Sequence, residues 1–154
     1  MKMLHILVVE DEPWIAMDLE IMIIEVVTAT VVIERSVAGA KKGLDEILDF
    51  AFLDVDVTNG KTFEIANILT HKHVPFVFVS GSPQSKLPCE LRSVPFISKP
   101  YSQAQIETAL QAFVNYNLQW SLIFNRIVMR EGRKAGLPLF EGIESQIRSM
   151  RGLP

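Results

Sequence analysis

Three carboxylates, a hydroxyl and an ammonium stand at the ends of short apolar runs in this chain. Together they could receive a phosphoryl group beside a Mg2+ ion. Glu10 and Asp11 follow Ile6–Val9, Asp54 follows Phe50–Leu53, Ser80 follows Phe76–Val79, and Lys99 follows Phe96–Ser98 and precedes Pro100. Asp54 is the candidate nucleophile, because a carboxylate is ionised near neutral pH and needs no general base. Its difficulty is repulsion from the incoming phosphoryl group, which a divalent cation and an ammonium would cancel. Mg2+ takes oxygen ligands, and carboxylates supply them. Residues this far apart in sequence meet only if each run is a strand of one parallel sheet, whose carboxyl ends line a single crevice.

The pattern between the runs supports that requirement. Strand candidates Leu4–Val9, Thr30–Ile33, Phe50–Leu53, Phe76–Val79 and Phe96–Ser98 alternate with segments of helical spacing, the signature of repeated βα units. The first helix is expected from about Pro13 to Val26, with Pro in its opening turn and Ile15, Leu19, Met22 and Ile23 as its apolar residues. A second is expected over about Ala38–Leu48 and a third over about Thr62–His71. The fourth crossover, between Ser80 and Lys99, carries prolines at 83, 88 and 95 and is too broken for a regular three-turn helix. Ser102 is a candidate N-cap for a last helix.

That last helix has an unusual reach. Ile106, Ala109, Phe113, Tyr116, Trp120, Ile123 and Ile127 recur at alternating spacings of three and four, and Gly132, Gly136 and Pro138 then break the pattern. The expected organisation is one α/β domain over residues 1–115 and a helical C-terminal extension over 116–154. The long apolar stripe predicts a homodimer or partner-docking surface on the extension, with Trp120, Ile123, Phe124 and Ile127 at its centre; the alternative is that the chain after Gly132 folds back and covers it.

Composition narrows the function classes. Hydrophobic residues make up 49% of the 154, which excludes a disordered chain, and no apolar run approaches the roughly 20 residues that span a bilayer. Residues 1–115 carry 9 Lys/Arg against 15 Asp/Glu, whereas residues 116–154 carry 6 against 3. An acidic first part does not suit a nucleic-acid surface. The single Cys89 offers neither an internal disulfide nor a metal-ligand partner. The chain reads as cytoplasmic, with no membrane segment. His71 and His73 read as a solvated helix end, and His5 as a packed or edge residue of the first strand.

Four stretches, VVEDE (Val8–Glu12), FLDVDVTNGKTF (Phe52–Phe63), FVFVSG (Phe76–Gly81) and FISKPY (Phe96–Tyr101), resemble in order and context the receiver domain of bacterial two-component response regulators. The resemblance covers roughly residues 1–115. It implies a doubly wound five-stranded parallel sheet of flavodoxin-like receiver fold. It also implies a phosphoacceptor that catalyses only its own phosphorylation and dephosphorylation, taking phosphate from a sensor histidine kinase or phosphotransfer protein onto Asp54. Asp11, Asp54 and the backbone carbonyl of Asp56 would then hold Mg2+ directly and Glu10 through water. Lys99 and Ser80 would contact the phosphoryl group, Phe96 would occupy the aromatic switch position, and the Lys99–Pro100 bond would be cis. The Asp56 side chain, an added negative charge near the phosphoryl site, is the main departure within the motifs. Output is expected through contact with a downstream protein target, since the extension is short for a DNA-binding domain.

Two other readings remain open at this point. DVDVT (Asp54–Thr58) matches the DxDx(T/V) motif of haloacid-dehalogenase-like phosphohydrolases, although that motif normally lies on the first strand of its domain. The third reading is a pseudo-receiver that acts as a scaffold without phosphorylation.

Overall fold

The computed structural model describes residues 3–115. In chain order these form β1 (Leu4–Val9), α1 (Pro13–Val26), β2 (Ala29–Glu34), α2 (Val37–Gly43), β3 (Phe50–Leu53), β4 (Asp56–Val57), β5 (Gly60–Lys61), α3 (Phe63–His71), β6 (Phe76–Ser80) and β7 (Phe96–Ser98). A further helix, α4, occupies 103–115. Residues Met3–Gln111 belong to one compact unit, and the chain from Ala112 onward to another. The expected helical extension over 116–154, with its homodimer or docking surface, lies outside the described residues.

Five strands pair side by side in the order β2-β1-β3-β6-β7, every pair parallel. Parallel strands are covered on both faces and therefore read as unbroken apolar runs. The last four residues of β1 and all of β3 and β6 are buried. Leu7, Val9, Ala51, Leu53, Phe76 and Phe78 join Ala40 of α2 and Ile65, Ala66 and Leu69 of α3 in one core cluster. Side chains alternate along a strand, so Ile6, Val8, Phe52, Val77 and Val79 point to the opposite face.

Local chemistry sets the helix ends. Ser36 caps α2, its hydroxyl accepting from the Gly39 N–H at 3.1 Å. The expected run to Leu48 is corrected: α2 stops at Gly43, and Leu44 is its C-cap. Gly43 weakens helix there, Lys72 Nζ takes the Leu44 carbonyl, and Leu44 and Leu48 join the core outside the helix. At the start of α4 the Ser102 N–H donates to Gln105 Oε1 at 2.9 Å, one half of a capping box.

The fourth crossover holds two short 3-10 turns, Gln84–Lys86 and Cys89–Leu91, in place of an α-helix. Leu87 and Leu91 anchor it in the core. Arg92 supplies the bonds a helix would have made, donating from Nε to the Leu87 carbonyl at 3.0 Å and from Nη2 to that of Ser85 at 3.2 Å.

β4 and β5 form a small antiparallel hairpin between β3 and α3, an element the sequence pattern did not predict. Asn59 at its tip has φ 68° and Gly60 has φ 143°. Asn-Gly is the strongest short-range hairpin signal, and both residues tolerate positive φ.

Candidate functional site

Backbone bonds carry the sheet ladder one step past the strand ends and set the candidate residues side by side. The Glu10 N–H donates to the Glu34 carbonyl at 2.9 Å, that of Asp54 to Val9 at 2.9 Å, and that of Lys99 to Ser80 at 3.0 Å. Four side chains separated by up to 89 residues thus share one crevice.

Lys99 Nζ lies 2.5 Å from both Glu10 Oε2 and Asp54 Oδ2. Glu10 (2% exposed), Asp54 (9%) and Ser80 (2%) are buried, while Asp11 sits partly open at the rim. Glu10, Asp11 and Asp54 each place a carboxylate oxygen within 4.8 Å of the others. Three clustered carboxylates face one ammonium, an excess of negative charge suited to a hard divalent cation. Burial pushes the Glu10 carboxyl up, outweighing the attraction of Lys99. For Lys99, burial acts downward, but its bonds to Asp54 and Glu10 prevail and hold its pKa above the usual lysine value.

The other residues singled out in the sequence have these positions. Ser80 Oγ accepts the Ser82 N–H at 3.2 Å, which leaves the hydroxyl proton free to donate elsewhere. The Lys99–Pro100 peptide is cis. Phe96 is half-buried, its ring 6.5 Å from that of Phe78. His71 bonds the Asn67 carbonyl at the end of α3, as a solvated helix end should. His5 is exposed, and its backbone exchanges two hydrogen bonds with Asp49.

Asp56 departs from the expectation of an unbalanced charge. Its exposed carboxylate pairs with Lys61, its cross-strand partner in the hairpin, and accepts the Ser82 hydroxyl at 2.6 Å. Lys61 and Ser82 hold it below the usual carboxylate range.

Sequence reasoning missed several supporting residues. Thr62, the N-cap of α3, is fully buried and donates its hydroxyl to the Asp54 carbonyl at 2.6 Å. Thr58 donates to Asp11 Oδ2 at 3.1 Å. Only the Asn59-Gly60 pair could have revealed the hairpin that brings these groups in.

Tyr101, just past the cis bond, gives a titration that reports on this charge. Burial first, then the charges of Asp18, Glu10 and Asp54, push its phenol up to about 12. A raised folded-state pKa means that stability present below the ordinary value of 10.0 is lost as pH climbs through about 12. The phenolate absorbance of wild type minus Tyr101→Phe is expected to stay flat through pH 10 and to rise only toward 12. A midpoint at 10.0 would remove the acidic crevice from the account of Tyr101.

No protein-family model matches the chain. The sensory transduction protein LytT of Enterococcus faecalis is 31% identical over 113 residues, covering 70% of this chain and 47% of LytT, so the chain spans about half that relative's length. The solution structure of SdrG from Sphingomonas melonis is 34% identical, covering 74% of this chain and 99% of SdrG with a TM-score of 0.64. The response regulator TrrA of Thermotoga maritima, solved in complex with Mg2+-BeF, shares the fold at 17% identity and a TM-score of 0.64, covering 72% of this chain and 99% of TrrA. Sequence likeness across nearly the whole of SdrG agrees with the parallel sheet and its strand-end acids: the chain belongs to the response regulator receiver family of two-component signalling.

Proposed function

We propose that this protein is a phosphorylation-controlled signalling receiver in which Asp54 accepts a phosphoryl group from the phosphohistidine of a sensor kinase or phosphotransfer protein. The observation that carries the reading is the convergence of Glu10, Asp11 and Asp54 within 4.8 Å, with Lys99 bonded to two of the three. An Asp54 carboxylate oxygen attacks phosphorus, the P–N bond to the donor imidazole breaks, and the imidazole keeps the electron pair and takes up a proton. The ammonium of Lys99 is placed to pair with a phosphoryl oxygen as a point charge, and the Ser80 hydroxyl to donate to another. Asp11, Asp54 and the Asp56 carbonyl would hold Mg2+ directly and Glu10 through water. When bound, the ion would offset the negative charge of nucleophile and phosphoryl group together. Phe96, on the strand next to Ser80, is the candidate switch that passes phosphorylation to a downstream protein partner. This reading places the protein in the cytoplasm.

The outer face of α1 supports a helical phosphodonor. Trp14 (72% exposed), Met17, Ile21 and Ile24 lie at spacings of three, four and three along it, a coiled-coil-like seam. A groove of about 310 Å3, lined by Pro13, Trp14, Ala16, Met17, Ile33 and Arg35, opens at its site end. Asp18, Glu20 and Glu25 flank the seam and α1 carries no basic residue, so the fitting partner is an amphipathic helix with basic flanks.

Phosphoramidate has the P–N bond of phosphohistidine and tests the reading. With Mg2+ it is expected to add one phosphoryl unit, about 80 Da, while p-nitrophenyl phosphate is not turned over. Steady turnover of that ester would favour the phosphohydrolase reading, and no adduct from any donor would favour the scaffold.

A further inference from the structure

We infer that Thr58 is a positioning residue for the metal site, holding the Asp11 carboxylate so that one of its oxygens faces the cation; this rests on the Mg2+ site proposed above. The other two acids are each held twice. Glu10 has Lys99 and the Glu12 N–H, and Asp54 has Lys99 and the Asp56 N–H. Among the described residues, Asp11 has one side-chain partner, the Thr58 hydroxyl at 3.1 Å on Oδ2. Asp11 is also the least buried of the three and has the most freedom to lose when it binds an ion.

Forty-seven residues separate Thr58 from Asp11, and the hairpin closes that gap. Asp56 pairs with Lys61 and Val57 with Gly60. Buried Val57 pins one strand to the core, and an isolated parallel bridge ties Thr58 to Ser36 beyond the end of β2. At the base, Thr62 fixes the chain through its hydroxyl on the Asp54 carbonyl and its N–H on that of Val55 at 3.1 Å. The same short segment therefore locates the Asp54 and Asp56 backbone and aims the donor at Asp11. With Oδ2 occupied by a hydroxyl proton, Oδ1 is left for the ion. Groups that hold a metal's ligands in this way typically account for 10–100-fold in affinity. Thr58 is exposed, so its share falls at the low end.

Isothermal titration of the full chain with Mg2+ tests this. Thr58→Val keeps the shape and removes the donor; it is expected to weaken Mg2+ binding by roughly tenfold. Thr58→Ala should do the same, Thr58→Ser should stay near wild type, and Asp11→Ala should lose binding. In phosphorylation assays, Thr58→Val should need more Mg2+ for half-maximal rate yet reach the wild-type rate at saturation, a split that general destabilisation would not give. Wild-type affinity in Thr58→Val and Thr58→Ala, with Asp11→Ala still defective, would overturn the role of Thr58 alone. So would a serine variant as weak as valine, which would implicate the methyl group. Absence of Mg2+ binding in the wild type would overturn the site itself, and the inference with it.

Discussion

Lys99→Ala is expected to slow phosphorylation of Asp54 by about 100-fold or more, the scale on which one preorganised charge partner acts in phosphoryl and acyl transfer. It should also destabilise the fold. Lys99 sits between two buried carboxylates, and removing one member of a buried ion pair leaves the others uncompensated, at a cost of about 3 kcal/mol. The pH dependence has a definite sign. Burial already pushes the Glu10 carboxyl up against the attraction of Lys99; without the ammonium its folded-state pKa rises further, and stability drains away as pH increases. The deficit relative to wild type should therefore be larger at pH 8 than at pH 5, and millimolar Mg2+ should reduce it by replacing the lost positive charge. Urea unfolding at the two pH values, with and without Mg2+, checks each part. A variant as stable as wild type at pH 8, and equally fast to phosphorylate, would show that Lys99 is a bystander.

Phe78→Ala should give a loss of stability among the largest of any single core truncation. Phe78 is fully buried beneath the crevice, its ring 5.7 Å from Phe76 in an edge-on arrangement and 6.5 Å from Phe96. Emptying such a site costs about 3–5 kcal/mol, a large part of the 5–15 kcal/mol that holds a domain of this size together. Denaturant unfolding measures it directly. A loss below about 1 kcal/mol would mean that this cluster collapses freely and that the sheet does not depend on it.

The sheet, and so the residues that stand at its strand ends, was legible because parallel strands bury both faces. Leu4–Val9, Phe50–Leu53 and Phe96–Ser98 read directly as apolar runs, and the structure has strands over the same residues. What lay beyond reach was either short or made by distant partners. The β4–β5 hairpin has two residues per strand, too few for alternation to register. Without it, Thr58 on Asp11 and Lys61 on Asp56 have no basis in the sequence, and Asp56 reads as a bare extra charge. The end of α2 was misplaced because Leu48 packs against the core from the irregular segment before β3, at what passes for helical spacing. The outer face of α1 was hidden for another reason: a helix apolar on nearly every side has no preferred face to read. Ile15, Leu19, Met22 and Ile23 were expected as its apolar set. The buried residues are Ala16, Leu19 and Ile23, while Trp14, Met17, Ile21 and Ile24 are exposed.

The most direct test of the whole account is the intact mass of wild type and Asp54→Asn after incubation with acetyl phosphate, with Mg2+ present or chelated. The geometry at Asp54 calls for one adduct of about 80 Da on the wild type, dependent on Mg2+ and absent from the asparagine variant. An adduct that persists in Asp54→Asn, maps to Ser80, or forms equally well without the metal would contradict it.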